Sequence, residues 1–176
     1  RPSVGAQRKH GKCFATFISA PEYMIGVETL YQSLQRFPKA KAATGTSPFI
    51  VMKTSAVRDS AFDPLLHCSR DSAVQVALVE VPFIRNPYPA SKERYKYVMS
   101  KLFMFSEASG CKKVIYLDAY TIVLKPLDNL FHLARKDWVV AAPDKSTGVH
   151  CDKFNSGVMA LVPSDSTFDE MSESIG

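Results

Sequence analysis

The sequence is short of several features that would settle its class early. It has no Gly-rich phosphate loop of the dinucleotide or P-loop kind, so a Rossmann fingerprint is not supported. Its four cysteines, Cys13, Cys68, Cys111 and Cys151, form no Cys-x-x-Cys pair. A zinc ribbon and a dithiol redox motif are both excluded on that ground. The cysteines read as scattered, buried, reduced thiols. His150-Cys151-Asp152 is no metal site either, because adjacent side chains point in different directions. No stretch approaches the roughly 20 apolar residues that span a bilayer, and no signal peptide or internal repeat is visible. Basic residues are not organised as a zinc finger, a basic zipper or an RNA-binding motif, so no nucleic-acid partner is expected.

The chain does have enough apolar residues for a packed core. It is 46% hydrophobic and 22% charged over 176 residues, which suits one domain. Its net charge of +5 favours a phosphate-bearing ligand without requiring one. Residues 1–12 are polar and basic and read as a flexible tail ahead of a domain over 13–176.

The order of elements points to an α/β fold. Cys13 to Ser19 reads as a first strand, and Pro21 opens a helix over Tyr23 to Phe37. Phe49 to Met52 is a second strand, Ser55 to His67 a less regular helix weakened by Asp63-Pro64, and Val74 to Val81 a third strand. Alternation of this kind predicts parallel pairing with helical crossovers. Pro82 to Ser91 is an extended loop, and Lys92 to Ser109 reads as a helix ended by Gly110. Lys101 lies among its apolar positions, either snorkelling to water or serving a ligand. Further strands are expected at Val114 to Leu117, Trp138 to Ala142 and Phe154 to Val162. Leu127 to Phe131 reads as one helical turn, and a last helix spans Asp165 to Met171.

The centre of this pattern is Lys112 to Phe131, where the Val114 strand runs into Asp118. Open α/β sheets bind ligands at the carboxyl ends of their strands, although an Asp there also serves as a plain turn residue. Downstream stands Phe154-Asn155-Ser156-Gly157-Val158, a polar turn running into a small apolar strand.

The two stretches together resemble the glycogenin-like glycosyltransferases, family 8 of the retaining nucleotide-sugar transferases. That family carries Asp-x-Asp at a strand end and a later Phe-Asn-Ser-Gly-Val. Here the first motif is Asp118-Ala119-Tyr120, with Tyr120 at the position of the second carboxylate, and the later motif is intact. The resemblance runs from about Phe14 to Phe168. It implies a mostly parallel central sheet with flanking helices, a GT-A-like nucleotide-diphospho-sugar transferase fold, whose C-terminal part is missing. It also implies transfer of a hexose from a UDP-sugar to a carbohydrate or protein acceptor, with retention and with help from Mn²⁺ or Mg²⁺.

By the same resemblance Phe17, Ser19 and Tyr23 meet the uracil and ribose, with Tyr23 stacking on the base. Asp118 meets the metal or nucleotide, and Ala119 brings backbone close to the ribose. Lys101 offsets charge on the diphosphate, as a preorganised cation can. Asn155 and Ser156 hold the donor sugar, and Gly157 lets backbone pass beneath it. Arg85, in the variable loop, reaches for a phosphate. Tyr120 weakens the metal site, because a neutral phenol is a poor ligand for a hard cation. The alternative is a catalytically silent module that binds nucleotide-sugar or carbohydrate. The compartment expected by default is the cytoplasm, or the Golgi if an N-terminal anchor has been removed. Oligomeric state cannot be read.

Overall fold

The computed structural model describes residues 10–37, 41–42, 45–88, 96–144 and 153–175. Residues 1–9 of the expected tail and the His150-Cys151-Asp152 triplet lie outside the described residues. Eight strands and four α-helices are seen among them. The strands are β1 (His10–Ile18), β2 (Lys41–Ala42), β3 (Gly45–Thr46), β4 (Phe49–Lys53), β5 (Val76–Glu80), β6 (Cys111–Leu117), β7 (Val140–Pro143) and β8 (Phe154–Leu161). The helices are α1 (Met24–Gln35), α2 (Asp63–Ser69), α3 (Leu130–Leu133) and α4 (Asp165–Glu173).

One six-stranded sheet carries the fold, in the order β5-β4-β1-β6-β8-β7. The first four strands are parallel, and at one side β8 pairs antiparallel with both β6 and β7. The expected α/β architecture with a mostly parallel sheet is therefore the one observed. α1 and α2 are the crossovers that parallel pairing demands. The strand pleat divides the core between the two faces. Phe14, Ile18, Val51, Ile115 and Leu117 pack with Val27, Leu30 and Leu34 of α1. Cys13, Ala15, Ile50, Met52, Val114 and Tyr116 pack with Met104 and Phe105, and with Phe168 and Met171 of α4. Both faces of β4 are thus covered, which is why FIVMK reads as an unbroken apolar run.

Several sequence expectations need correction. β1 starts at His10, so residues 10–12 belong to the strand rather than the tail, and Lys12 pairs with Lys113. Pro64 does not weaken a helix. It lies in the first turn of α2, where its missing N–H is no loss, and a 3₁₀ turn over Asp59–Phe62 precedes it. Residues 92–95 of the helix expected over Lys92 to Ser109 lie outside the described residues, and the rest contains a 3₁₀ helix at Val98–Phe105 followed by a short 3₁₀ turn at Glu107–Ser109. A 3₁₀ helix has three residues per turn, so Val98 and Lys101 come onto one side.

The cysteine reading was wrong in two respects. Cys13 and Cys111 form a disulfide with Cα atoms 6.1 Å apart, and Cys68 is exposed rather than buried. The two bonded cysteines lie 98 residues apart in sequence. Only the parallel pairing of β1 with β6 brings them together, and no local spacing could announce it.

Candidate donor-binding site

Asp118 follows the last residue of β6, at the carboxyl end of the parallel strands. Its backbone N–H donates to the Gly157 carbonyl at 2.8 Å, and its own carbonyl accepts from Thr121 N–H at 2.9 Å. The chain therefore turns at Asp118 while it is tied to the start of β8. Two further contacts fix the turn from below. Ser33 Oγ in α1 accepts from the Val123 N–H at 3.0 Å. At Gly26 an added Cβ would sit 2.6 Å from the Ala119 carbonyl oxygen, so only glycine allows α1 to pass this close.

The Asp118 side chain is mostly buried and is held by hydroxyls. Tyr116 donates to its Oδ1 at 2.7 Å and Tyr120 to its Oδ2 at 3.0 Å. The Lys101 ammonium lies 3.6 Å from Oδ1 and donates to Ser156 Oγ at 2.8 Å. It also stands 5.5 Å from the centre of the Tyr116 ring, over its face. Burial, first, and then the charge and hydrogen bond of Asp118 push the Tyr116 phenol well above its ordinary value. Tyr116 therefore stays a donor throughout the neutral range.

These groups border one open cavity of about 450 Å³. Phe17, Ser19 and Tyr23 line it from the end of β1 and the turn after it. Lys101 lines it from the 3₁₀ helix, and Asp118, Ala119 and Tyr120 from the turn after β6. Ser156 joins through its bond to Lys101, and Gly157 through its backbone bond to Asp118. A Cβ on Gly157 would come within 2.9 Å of Asn155 Oδ1 and 3.3 Å of Asp118 Oδ2. Asn155 is exposed and does not itself border the cavity; its Oδ1 accepts from the Gly157 N–H at 2.8 Å. Arg85 is not brought in. It is exposed in the segment after β5 and does not border the cavity. That segment is instead anchored through Ile84, whose N–H donates to Ser100 Oγ at 2.7 Å. A second, wider groove lies between α1 and α2 and carries none of the expected site residues.

Sequence reasoning missed Tyr116 and Val98. Tyr116 read as one more buried strand aromatic, yet alternate residues of an extended segment share a side. The two-residue spacing of Tyr116 and Asp118 at the end of β6 was the signal available.

The expected divalent cation does not fit this donor set. A hard ion wants several oxygen ligands, with carboxylates foremost. Here one carboxylate is already engaged by two phenols and faces an ammonium. Among the described residues no group of three or more His, Cys, Asp or Glu side chains converges.

No family model matches the chain. It is 28% identical over 158 residues to inositol phosphorylceramide glucuronosyltransferase 1 of Arabidopsis thaliana, covering 90% of this chain and 26% of that protein. It is 29% identical over 168 residues to UDP-glucuronate:xylan alpha-glucuronosyltransferase 2 of the same plant, covering 92% of this chain and 24% of the relative. The chain thus spans about a quarter of the length of these relatives. Among solved structures, the bifunctional glycosyltransferase WbbM superposes with a TM-score of 0.66 at 15% identity, over 94% of this chain and 34% of its own. Mouse xyloside xylosyltransferase 1 gives a TM-score of 0.57 at 16% identity, over 93% of this chain and 69% of its own. Those two likenesses show the fold, and the plant relatives show that nearly the whole chain is similar in sequence to part of known glycosyltransferases.

Proposed function

We propose that the cavity binds a UDP-linked hexose or hexuronate and that the protein transfers the sugar to a carbohydrate or protein acceptor with retention, as in the glycogenin-like branch. The observation that carries this reading is the meeting of Asp118, Lys101 and Ser156, which come from three separate stretches of sequence. A donor site must hold a diphosphate and a sugar in one fixed geometry, and convergent polar groups in a partly enclosed cavity meet that need. Similarity to a plant xylan glucuronosyltransferase named for UDP-glucuronate supports a uridine diphosphate donor.

In the reaction the bond from the anomeric carbon to the diphosphate oxygen breaks, and its electron pair leaves on the diphosphate. The acceptor oxygen bonds to the same face of that carbon, and its proton passes to a leaving phosphate oxygen. Lys101 offsets the negative charge that grows on the diphosphate. Ser156 and the Asn155 amide hold sugar hydroxyls. Tyr23 stacks on the uracil, Phe17 and Ser19 border base and ribose, and the Ala119 backbone meets the ribose. No step is routed through a cation, because the donor set does not fit one.

The disulfide supports an oxidising compartment such as the Golgi lumen over the cytoplasm, where thiols are kept reduced. The test of function is calorimetric titration with UDP-glucose, UDP-glucuronate and GDP-mannose, followed by a transfer assay. Uridine-selective binding is expected. Equal or absent binding of all three by folded protein would refute the donor-site reading, and binding without turnover would favour the silent module.

A further inference from the structure

We propose that this site holds the diphosphate of its donor without a divalent cation, using Lys101 as the counter-charge while the two tyrosines keep Asp118 as an acceptor of protein hydrogen bonds. The inference rests on the donor-site reading and goes beyond it, since that reading leaves open how the diphosphate is neutralised.

The argument begins with the lone pairs of Asp118. A carboxylate offers about four acceptor directions. Tyr116 takes one on Oδ1 and Tyr120 one on Oδ2, while Lys101 faces Oδ1 from 3.6 Å. Gly157 stands beside Oδ2, where a Cβ, were there one, would come within 3.3 Å. A cation that requires near-octahedral oxygen coordination would have to share this one carboxylate with two phenols and sit close to an ammonium. Both features oppose its binding. The hydrogen bonds that Asp118 accepts thus come from the protein itself.

Lys101 is suited to the task the metal would otherwise have. Its ammonium has three donors. Ser156 Oγ accepts one at 2.8 Å, and the contact with Asp118 is too long for a hydrogen bond. Lys101 borders the cavity, so it can turn a proton toward an entering phosphate oxygen. When it does, Asp118 is not left without partners, because both phenols still donate to it. This explains the pairing of a tyrosine on each carboxylate oxygen. Tyr120, which stands where the resembling family has its second carboxylate, then has a positive role as donor to Asp118. The exchange of carboxylate for phenol removes one negative charge from beside the diphosphate and so replaces part of what a cation does.

The test is UDP binding by calorimetry on the full chain, in EDTA and across a Mn²⁺ series, for wild type, Lys101→Ala and Tyr120→Asp, with folding checked by circular dichroism. The wild-type dissociation constant should change by less than about twofold between EDTA and Mn²⁺. Lys101→Ala should weaken binding in EDTA by about tenfold or more, the scale of a lost charge-assisted contact. Tyr120→Asp should bind more weakly in EDTA and regain affinity by about tenfold or more as Mn²⁺ rises. A wild type that needs Mn²⁺ for UDP binding would overturn the proposal while leaving the donor site intact. A folded wild type that binds UDP in neither condition would overturn the donor site and this inference with it. The wild-type comparison decides the first question even if a variant fails to fold.

Discussion

The parallel and antiparallel parts of the sheet differ in what they bury and in what they offer. β4, β1 and β6 are covered on both faces, and the Cys13–Cys111 disulfide stitches β1 to β6. β8 enters the sheet with Phe154 and Asn155 exposed and becomes buried only from Met159 onward. The register of β7 on β8 shifts between Ala141 and Ala142, where Ser156, Gly157 and Val158 of β8 have no β7 partner, and β7 ends in Pro143, which an edge strand tolerates. The candidate site lies on the seam, with Asp118 from the parallel side and Ser156 and Gly157 from the antiparallel side. The difference teaches a division of labour. The parallel part sets stability, and the half-open antiparallel edge lends polar groups that a fully packed strand could not spare.

That division can be broken first at the disulfide. Replacing Cys13 and Cys111 together by serine should cost about 2–5 kcal/mol of stability, since the bond closes a long loop in the unfolded chain. Denaturant unfolding would measure it. UDP affinity of the protein that remains folded should be unchanged, and a large loss of affinity would mean that frame and site are not separable.

The seam itself gives the next largest effect. Tyr116→Phe removes a donor to a charged, mostly buried carboxylate and should cost about 1.5–3 kcal/mol. The same residue sets an alkaline limit. Its phenol is raised in the folded protein, so its contribution is complete below a pH of roughly 10, the unfolded value, and is lost as pH rises through the folded one. Lys53 acts in the same direction. Burial alone would lower it, but hydrogen bonds and charges from Asp59 and Glu80 outweigh that and leave it raised. Wild-type stability should therefore fall steeply above about pH 10. The Phe variant should fall less, and parallel pH curves would contradict the assignment.

Gly26→Ala tests whether α1 positions the turn. The new Cβ would meet backbone at Ala119, which cannot swing aside as a side chain could. A loss of about 1–3 kcal/mol is expected, together with weaker UDP binding because Ala119 borders the cavity. Stability loss with unchanged affinity would detach the turn from the site. The smallest effect belongs to Arg85→Ala. That side chain is exposed and away from the cavity, so stability should stay within about 0.5 kcal/mol and UDP affinity should not move.

The same contrast governs what could be read from sequence. The parallel strands announce themselves as apolar runs, and Asp118 stands out as the polar residue after such a run, while Asn155-Ser156-Gly157 reads as a polar turn but lies within β8. What stayed hidden depends on pairing between distant segments. The disulfide needs the β1–β6 register, and the Lys101–Ser156 bond needs the 3₁₀ geometry that brings Lys101 to the cavity. Arg85 illustrates the converse, since a loop basic residue looks available for phosphate until the path of the loop is known. Tyr116 was within reach, because its two-residue spacing from Asp118 is local.

The central claim is that Lys101 and Ser156, 55 residues apart, act as parts of one donor site. A double-mutant cycle of Lys101→Ala and Ser156→Ala, read by affinity for the tightest-binding UDP-sugar, tests it most directly. The account predicts that the two losses fail to add, with a coupling of about 0.5–3 kcal/mol. Losses that add to within about 0.3–0.5 kcal/mol would contradict it, because independent sites behave that way.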